Sequence, residues 1–258
     1  MSAAPFDTPK HPPYFAATIV VALVLMVPAL MIAGSVMDLS GKRPVFAFTF
    51  IGAAVGFVVE LAFRRTARSS ATRLLRSWGA VPAMPDDFPR LHNTIDGLCL
   101  SQGIDPPPLH IVDCPTGNAA VVGSPDPVLV FTSGALEALK VVELEGLVAH
   151  LLMRCQDEDL RHRTTAAAFE AVPGVRHASR KWEAPDHTVR FDRDAVSATR
   201  FPPGLQRSLL LLADLGTTVP AVVDNSAHLW VLQPGGSPET ETAVHPSVDL
   251  RLAALSEA

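Results

Sequence analysis

Hydrophobic residues in this chain are concentrated in two long N-terminal runs and in shorter periodic segments downstream. Residues 15–37 contain no charged side chain, and residues 45–63 contain only Glu60, near the end of the run. Each run is long enough for a helix to cross a hydrocarbon core of about 30 Å. The connector is short and carries the breakers Gly41 and Pro44. The pattern predicts a transmembrane hairpin of helices 15–37 and 45–63.

A signal peptide followed by a buried helix is the alternative interpretation of these two runs. Signal peptides have a basic start, a shorter apolar stretch and a small-residue cleavage site. The first run here is too long, and Lys10 is the only lysine or arginine before it. The transmembrane hairpin is therefore the favoured interpretation.

Basic residues set the expected orientation of the hairpin. Two lie in the connector, Lys42 and Arg43, and five follow the second run: Arg64, Arg65, Arg68, Arg73 and Arg76. The positive-inside rule then places the segment after the hairpin, and with it the N-terminus, in the cytoplasm. We expect a cytoplasmic tail (1–14), the hairpin (15–63), a basic juxtamembrane segment (64–76) and a cytoplasmic domain (77–258), held in the cell (inner/cytoplasmic) membrane.

Composition narrows the classes of partner. The net charge is −5, and the arginine cluster has no aromatic residues interleaved with it, so we expect the cluster to meet anionic lipid headgroups of the bilayer and not nucleic acid. The three cysteines, Cys99, Cys114 and Cys155, form no C-x-x-C pair and are predicted to be free thiols. Glu60 precedes Arg64 by four residues, which favours an ion pair at the membrane interface.

The remainder of the chain predicts an α+β domain with a small sheet on a helical core. Apolar spacing indicates a helix over 88–102 closed by Gly103, and β-branched runs indicate strands near 109–113, 119–123 and 128–132. Two helical pieces follow, ending near residue 160. Residues 161–185 are expected to form a loop or frayed helix. Further helices are predicted near 187–199, through 205–215 and from about residue 247.

The order of seven segments resembles one family of membrane enzymes. These segments are LHNTIDGLCLSQGIDPPPLHIVD (91–113), NAAVVG (118–123), VLVFTSGALEAL (128–139), VELEGLVAH (142–150), FDRDAVSATRFPPGLQRSL (191–209), HLWVLQPGG (228–236) and HPSVDLRLAAL (245–255). With the N-terminal hairpin, they resemble the HtpX-like membrane zinc metallopeptidases, bacterial relatives of the prenyl-protein (CAAX) endopeptidases. The resemblance implies a gluzincin-like metallopeptidase domain.

The resemblance also identifies positions where the family's zinc site is altered. Two histidines of H-E-x-x-H would hold Zn²⁺, and its glutamate would be the general base. Here that motif contains His150, Leu151 and Arg154, so one ligand remains. The third ligand, from a later E-x-x-x-D segment, is replaced by Thr188, while Asp192 is kept.

A register two residues later leaves a second assignment of that segment open. It would put Arg190 and Asp194 in the two roles. The glutamate ligand is missing in both registers.

These replacements predict a catalytically inactive pseudopeptidase without a zinc cofactor. A catalytic zinc takes three protein ligands and a water. Arg154 would also repel the metal by about 8 kcal/mol at a separation of about 4 Å and an effective dielectric constant near 20. The alternative is a divergent, active zinc metalloendopeptidase of membrane-protein quality control, for which Asp157, His162 and His187 would be the replacement ligands.

A cation at position 154 suggests a further hypothesis. We expect the Arg154 guanidinium to stand in for the zinc and to form a bidentate pair with Asp192, or with Asp194 in the later register.

The family resemblance also suggests a binding role that survives loss of the metal. Gluzincin substrates add as a strand to an exposed sheet edge. Here that edge would be formed by Asn118, Ala119, Ala120, Val121, Val122 and Gly123. We therefore expect the chain to bind a peptide or to regulate a membrane-protein partner.

Overall fold

The computed structural model describes residues 67–123, 126–168, 185–220, 222, 224–237, 239–240 and 244–257, with scattered positions between 54 and 65. The chain divides into two compact units, Met1–Arg68 and Ser69–Ala258.

In the first unit, the predicted helix 15–37 and most of the predicted helix 45–63 lie outside the described residues. Among the residues that are described, no helix has the length and apolar character needed to cross a bilayer. The described positions from 54 to 65 are helical, and Arg64 Nε lies 2.5 Å from Glu60 Oε1. The predicted ion pair between these residues is confirmed.

The second unit is an α+β domain, which confirms the predicted class of its fold. Its described residues form eight α-helices, one 3₁₀-helix and four strands. The elements in chain order are α1 (Ser70–Ser77), β1 (Val81–Pro82), α2 (Pro89–Gln102), β2 (Leu109–Val112), β3 (Ala119–Gly123), β4 (Pro127–Thr132), α3 (Ser133–Ala138), α4 (Val141–Cys155), α5 (Leu160–Ala168), α6 (Pro185–Thr199), α7 (Pro202–Asp214), the 3₁₀-helix (Asp224–Leu229) and α8 (Val248–Ser256).

The sheet has the strand order β1–β2–β4–β3 and mixed direction. Strand β2 runs parallel to β4, with Leu109 opposite Leu129, whereas β1 and β3 are antiparallel to their neighbours. All five residues of β3 are buried. Strand β1 has only two residues and was not predicted, because two residues are too few to show an alternating pattern.

Most of the predicted helix boundaries are confirmed by the structure. Helix α2 ends at Gly103, which adopts the left-handed conformation (φ 68°) that a C-terminal glycine supplies. Helix α8 begins after Ser247, whose side chain accepts a hydrogen bond from the backbone N–H of Leu250. Pro202 and Pro203 occupy the first turn of α7, where proline is well tolerated, so these residues begin a helix.

The prediction for residues 155–168 was wrong in two respects. Helix α4 ends at Cys155 and does not continue to residue 160, and residues 160–168, expected to belong to a loop or frayed helix from 161 onward, form α5. Helix α5 is strongly polar in sequence, but most of it is buried, including Arg163, Thr164 and Thr165. Tertiary packing against α1, β3 and the 3₁₀-helix therefore stabilises a helix that periodicity did not reveal.

Helix α4 is the centre of the domain. It packs against α2, α6 and α7 and also contacts β3 and β4, and Leu144, Leu147, Val148, Leu151 and Leu152 are fully buried. Its approach to α7 depends on Gly146. A Cβ atom there would lie 2.4 Å from the backbone nitrogen of Leu205 and 2.6 Å from the carbonyl carbon of Gly204.

The close approach of α4 to α7 predicts that Gly146→Ala destabilises the domain. Backbone atoms cannot move aside as a flexible side chain can, so we expect a loss of about 1–3 kcal/mol in chemical denaturation of the purified chain. Gly97→Ala is the matched control, because Gly97 is an exposed helical residue whose added Cβ would have no neighbour within 4 Å. This control should gain about 0.5–1 kcal/mol. Equal unfolding midpoints for Gly146→Ala and the natural chain would contradict the packing.

Candidate functional site

The residues at the altered H-E-x-x-H positions lie in the buried part of α4. His150 and Leu151 are fully buried, and Arg154 is 6% exposed. Since His150 and Arg154 are four residues apart, they lie on one face of the helix. Leu151 packs in the apolar core, where it offers neither a proton acceptor nor a metal ligand.

Asp192 of α6 supports the imidazole of His150. Nδ1 of His150 lies 2.8 Å from Oδ1 of Asp192, although the ring is not aligned for a straight hydrogen bond. Phe191 meets the same ring edge-on, with the ring centroids 6.4 Å apart. A carboxylate at Nδ1 favours the proton on that nitrogen and leaves Nε2 as the acceptor. Nε2 is buried and has no hydrogen-bond partner within the described ranges.

Arg251 of α8 holds the Asp192 carboxylate with two hydrogen bonds. Arg251 Nε donates to Oδ2 and Nη2 donates to Oδ1, each at 2.7 Å, and Nη1 donates to the carbonyl of Val231 at 2.8 Å. Arg251 is fully buried, and Asp192 is 1% exposed. His150, Asp192 and Arg251 therefore form a buried charged chain that connects α4, α6 and α8; we call it the His150–Asp192–Arg251 chain.

The structure corrects the predicted pairing of Arg154 with Asp192. Arg251 is the partner of Asp192, and Arg154 Nη2 instead donates to the backbone carbonyl of His228 at 2.8 Å. Sequence reasoning missed Arg251. Its signal was an arginine at a buried helical position, three residues after Val248 and four before Leu255, both of which are buried.

The His150–Asp192–Arg251 chain shifts the pKa values of its members. Burial acts to raise the pKa of Asp192, but the charge and hydrogen bonds of Arg251, together with His150, outweigh it and lower that pKa to about 2. Burial lowers the pKa of His150 to about 4, against the favourable effect of Asp192 and with the help of the Arg251 and Arg154 charges. At neutral pH the carboxylate is therefore charged and the imidazole is neutral.

The other residues that the sequence analysis assigned to the site lie on α6 or beside buried arginines. Thr188 lies one turn before Asp192 on α6 and is partly exposed, while Arg190 and Asp194 of the same helix are exposed. Asp157 forms ion pairs with arginines: its Oδ2 lies 3.4 Å from Arg163 Nη2, and its Oδ1 lies 4.0 Å from Arg190 Nη2.

The two proposed replacement histidines lie on different helices and are both partly exposed, His162 on α5 and His187 on α6. In the part of the chain that the structure describes, no three His, Cys, Asp or Glu side chains form a group able to hold a metal ion.

The side chains around His150 do not fit a catalytic zinc ion. Such an ion takes three protein ligands, and His150 Nε2 is the single neutral nitrogen donor among the altered motif positions, beside Leu151 and Thr188. Arg154 and Arg251 are close enough to lower the pKa of His150, so they would repel a divalent cation as well. The retained Asp192 is the kind of carboxylate that orients a metal-binding histidine.

Strand β3, the predicted peptide-binding edge, does lie at the edge of the sheet, but the edge is covered. The carbonyl of Ala119 accepts a hydrogen bond from the N–H of Val231 at 2.8 Å, and Trp230 forms an antiparallel bridge with Ala120. At the other end, the N–H of Gly123 donates to Thr164 Oγ1 at 2.8 Å. An added peptide strand would have to displace these contacts.

Asn118 stabilises this cover. Its Nδ2 donates to the carbonyl of Leu232 at 2.9 Å, and its Oδ1 accepts from the N–H groups of Ala119 and Leu232. The sequence pattern that suggested a binding edge therefore contains a residue that attaches the 228–236 segment to β3.

The buried pair predicts that Arg251→Met destabilises the domain by about 3–5 kcal/mol, because it leaves a buried carboxylate without its cation. The double variant Asp192→Leu/Arg251→Met should lose less than Arg251→Met alone. Asp194→Asn, a change at an exposed carboxylate on the same helix, is the control and should stay within about 0.5 kcal/mol. Denaturant unfolding of the four proteins checks this, and a loss below about 1 kcal/mol for Arg251→Met would contradict the pairing.

The lowered pKa of His150 predicts that stability falls as the pH drops. An unfolded histidine titrates near pH 6.5 and the folded one near pH 4, so between these values the unfolded chain binds more protons. The contribution of the neutral His150 imidazole to the free energy of unfolding is fully present above about pH 6.5, and about 3 kcal/mol of it is lost by pH 4. In His150→Gln, the slope of unfolding free energy against pH over this window should be shallower. An unchanged slope would show that His150 is not buried as a neutral imidazole.

Comparison with known proteins gives a consistent set of relatives. The curated protein named Protease HtpX homolog from Dictyoglomus turgidum is 25% identical over 248 residues, which cover 80% of this chain and 81% of that protein. The protein of the same name from Dictyoglomus thermophilum is 25% identical over 229 residues, covering 73% and 75%.

A shorter match, to the Protease HtpX homolog of Tropheryma whipplei, reaches 36% identity over 100 residues and covers 38% of this chain and 34% of that protein. No protein-family model and no solved structure matches the chain. The repeated agreement with homologues of one name confirms the family resemblance predicted from the order of the motifs: the chain is HtpX-like.

Proposed function

We propose that this chain is a membrane-anchored, metallopeptidase-like protein that does not cleave peptides and that binds a peptide or regulates a membrane-protein partner. The observation that supports the proposal best is the environment of His150. Asp192, itself held by Arg251, lies beside Nδ1 of the imidazole, as the carboxylate behind a metal-binding histidine does, yet the other ligand positions carry Arg154 and Thr188.

The loss of catalysis follows from the chemistry of the replaced residues. A zinc peptidase needs three ligands to hold the ion and a carboxylate to take a proton from the bound water. Leu151 has replaced that carboxylate and is fully buried, and the Arg154 guanidinium cannot act as a ligand. What remains is one ligand, His150, with the carboxylate that supports it, and such a remnant is compatible with a scaffold that binds without hydrolysing.

The position of Asp192 favours one of the two registers left open by the sequence. Asp192 is buried and lies 2.8 Å from His150 Nδ1, whereas Asp194 is exposed. This geometry supports the assignment of Thr188 and Asp192, and not of Arg190 and Asp194, to the altered E-x-x-x-D segment. Thr188 is accordingly the position at which a third ligand would be restored.

The sequence and its relatives support the two other parts of the proposal, the membrane anchor and the partner. The apolar runs 15–37 and 45–63, followed by the arginine cluster, support insertion into the bilayer with the domain in the cytoplasm. The relatives named as proteases support an ancestral peptide-handling scaffold. Because β3 is covered by residues 230 and 231, binding by strand addition would require that segment to move away.

Metal content tests the proposal. The purified full-length chain is incubated with zinc, and the unbound zinc is removed. Elemental analysis should then find almost no zinc bound to the chain. The variant Leu151→Glu/Arg154→His/Thr188→Glu should bind about one zinc ion per chain, because Asp192 and Arg251 already orient His150.

Leu151→Glu alone is the control, since it restores the base but no second ligand, and it should bind no more zinc than the natural chain. Near-stoichiometric zinc in the natural chain, with cleavage of an unfolded protein substrate, would contradict the proposal and favour a divergent active peptidase.

A further inference from the structure

The charges around Arg154 do not balance. Three buried arginines, Arg154, Arg163 and Arg251, and the exposed Arg190 lie among three carboxylates, Asp157, Asp159 and Asp192, which leaves one positive charge in excess. Arg251 takes both oxygens of Asp192, and Asp157 is shared by Arg163 and the exposed Arg190. Arg154 has no ion pair with any described residue.

Arg154 is also poor in hydrogen bonds. Its guanidinium has five N–H donors, and its Nη2 donates to the neutral carbonyl of His228. Burial, with the charges of Arg163 and Arg251, lowers the pKa of Arg154 to about 9. The group therefore remains charged at neutral pH, although it is 6% exposed.

Arg163 provides a second, independent set of donors beside it. The residue is 5% exposed, and its Nε and Nη2 have no hydrogen-bond partner within the described part of the chain, although Nη2 lies 3.4 Å from Asp157 Oδ2. Arg163 and Arg154 are linked through His228, whose Nε2 lies 3.2 Å from the Arg163 carbonyl and whose own carbonyl accepts from Arg154.

Buried arginine donors of this kind fit an anion with two oxygens. A buried charge is strongly unfavourable unless it is paired and hydrogen-bonded, and a carboxylate matches the planar fork of a guanidinium with two parallel hydrogen bonds. Arg190, whose side chain is 55% exposed, extends the positive charge from this cluster to the surface.

We propose that Arg154 and Arg163 form a binding site for the carboxylate of a peptide. An ion pair between arginine and the peptide carboxylate would then form at the position where the family pattern has a metal ion. The inference rests on the proposed function, because it assigns a ligand to the site at which the proposal replaces zinc. A carboxylate from a small acid and one from a peptide end share this chemistry, and the test separates them.

Thermal unfolding of the full-length chain in detergent tests the site. Three probes are added at matched ionic strength: acetate, a short N-acetylated peptide without charged side chains but with a free C-terminal carboxylate, and the same peptide with its C-terminus amidated. At a tenfold excess over Kd, the free-acid peptide should raise the Tm by about 3–5 °C. Acetate should act in the same direction at higher concentration, and the amidated peptide should have no effect.

Arg154→Met is the diagnostic variant. It removes the charge and keeps an apolar side chain of comparable length, so without ligand its Tm should equal or exceed that of the natural chain, while the response to the free-acid peptide disappears. Arg207→Met, at an exposed arginine of α7, is the control and should respond like the natural chain.

Two results would overturn the carboxylate site. One is equal Tm shifts in Arg154→Met and the natural chain, and the other is equal shifts with the amidated and free-acid peptides. Zinc content measured on the same preparation distinguishes a failure of the carboxylate site from a failure of the proposed function. Stoichiometric zinc overturns the proposed function whatever the peptides do, whereas a zinc-free protein without any carboxylate response overturns the carboxylate site alone.

Discussion

The helical half of this domain depends on the contacts of one buried carboxylate, that of Asp192. It joins the imidazole of His150 on α4 to the guanidinium of Arg251 on α8, and Arg251 extends the connection to the carbonyl of Val231. Charges at this depth are stable only when they are paired with good geometry. Three helices and the segment beside β3 are therefore held in one arrangement by a single side chain of α6.

This arrangement holds the helices around His150 together through contacts between protein side chains. His150 and Asp192 match the family pattern and take part in these contacts, whereas Leu151, Arg154 and Thr188 differ from that pattern. Arg154 then carries a buried positive charge where the family pattern has a metal ligand. The proposed carboxylate site follows from the sign of this charge, which repels cations and attracts anions.

Much of the fold was predictable from sequence because its signals are local. The apolar runs of β3 and β4, the glycine that ends α2 and the stripe of α4 each specify an element within a few residues. Helix α5 was not predictable, since it is stabilised by packing of polar residues that show no periodicity. The position of Asp192 beside the motif histidine followed from the family pattern, but its pairing with Arg251 joins residues 59 positions apart in the sequence, and no local rule selects that partner over Arg154.

X-ray diffraction at the zinc absorption edge, on crystals of the natural chain grown with zinc, shows directly whether His150 binds a metal ion. We predict no anomalous peak within bonding distance of His150 Nε2, about 2.0–2.1 Å, and both oxygens of Asp192 hydrogen-bonded to Arg251. A strong peak at that nitrogen, completed by two further protein ligands, would contradict the account and identify a working metal site.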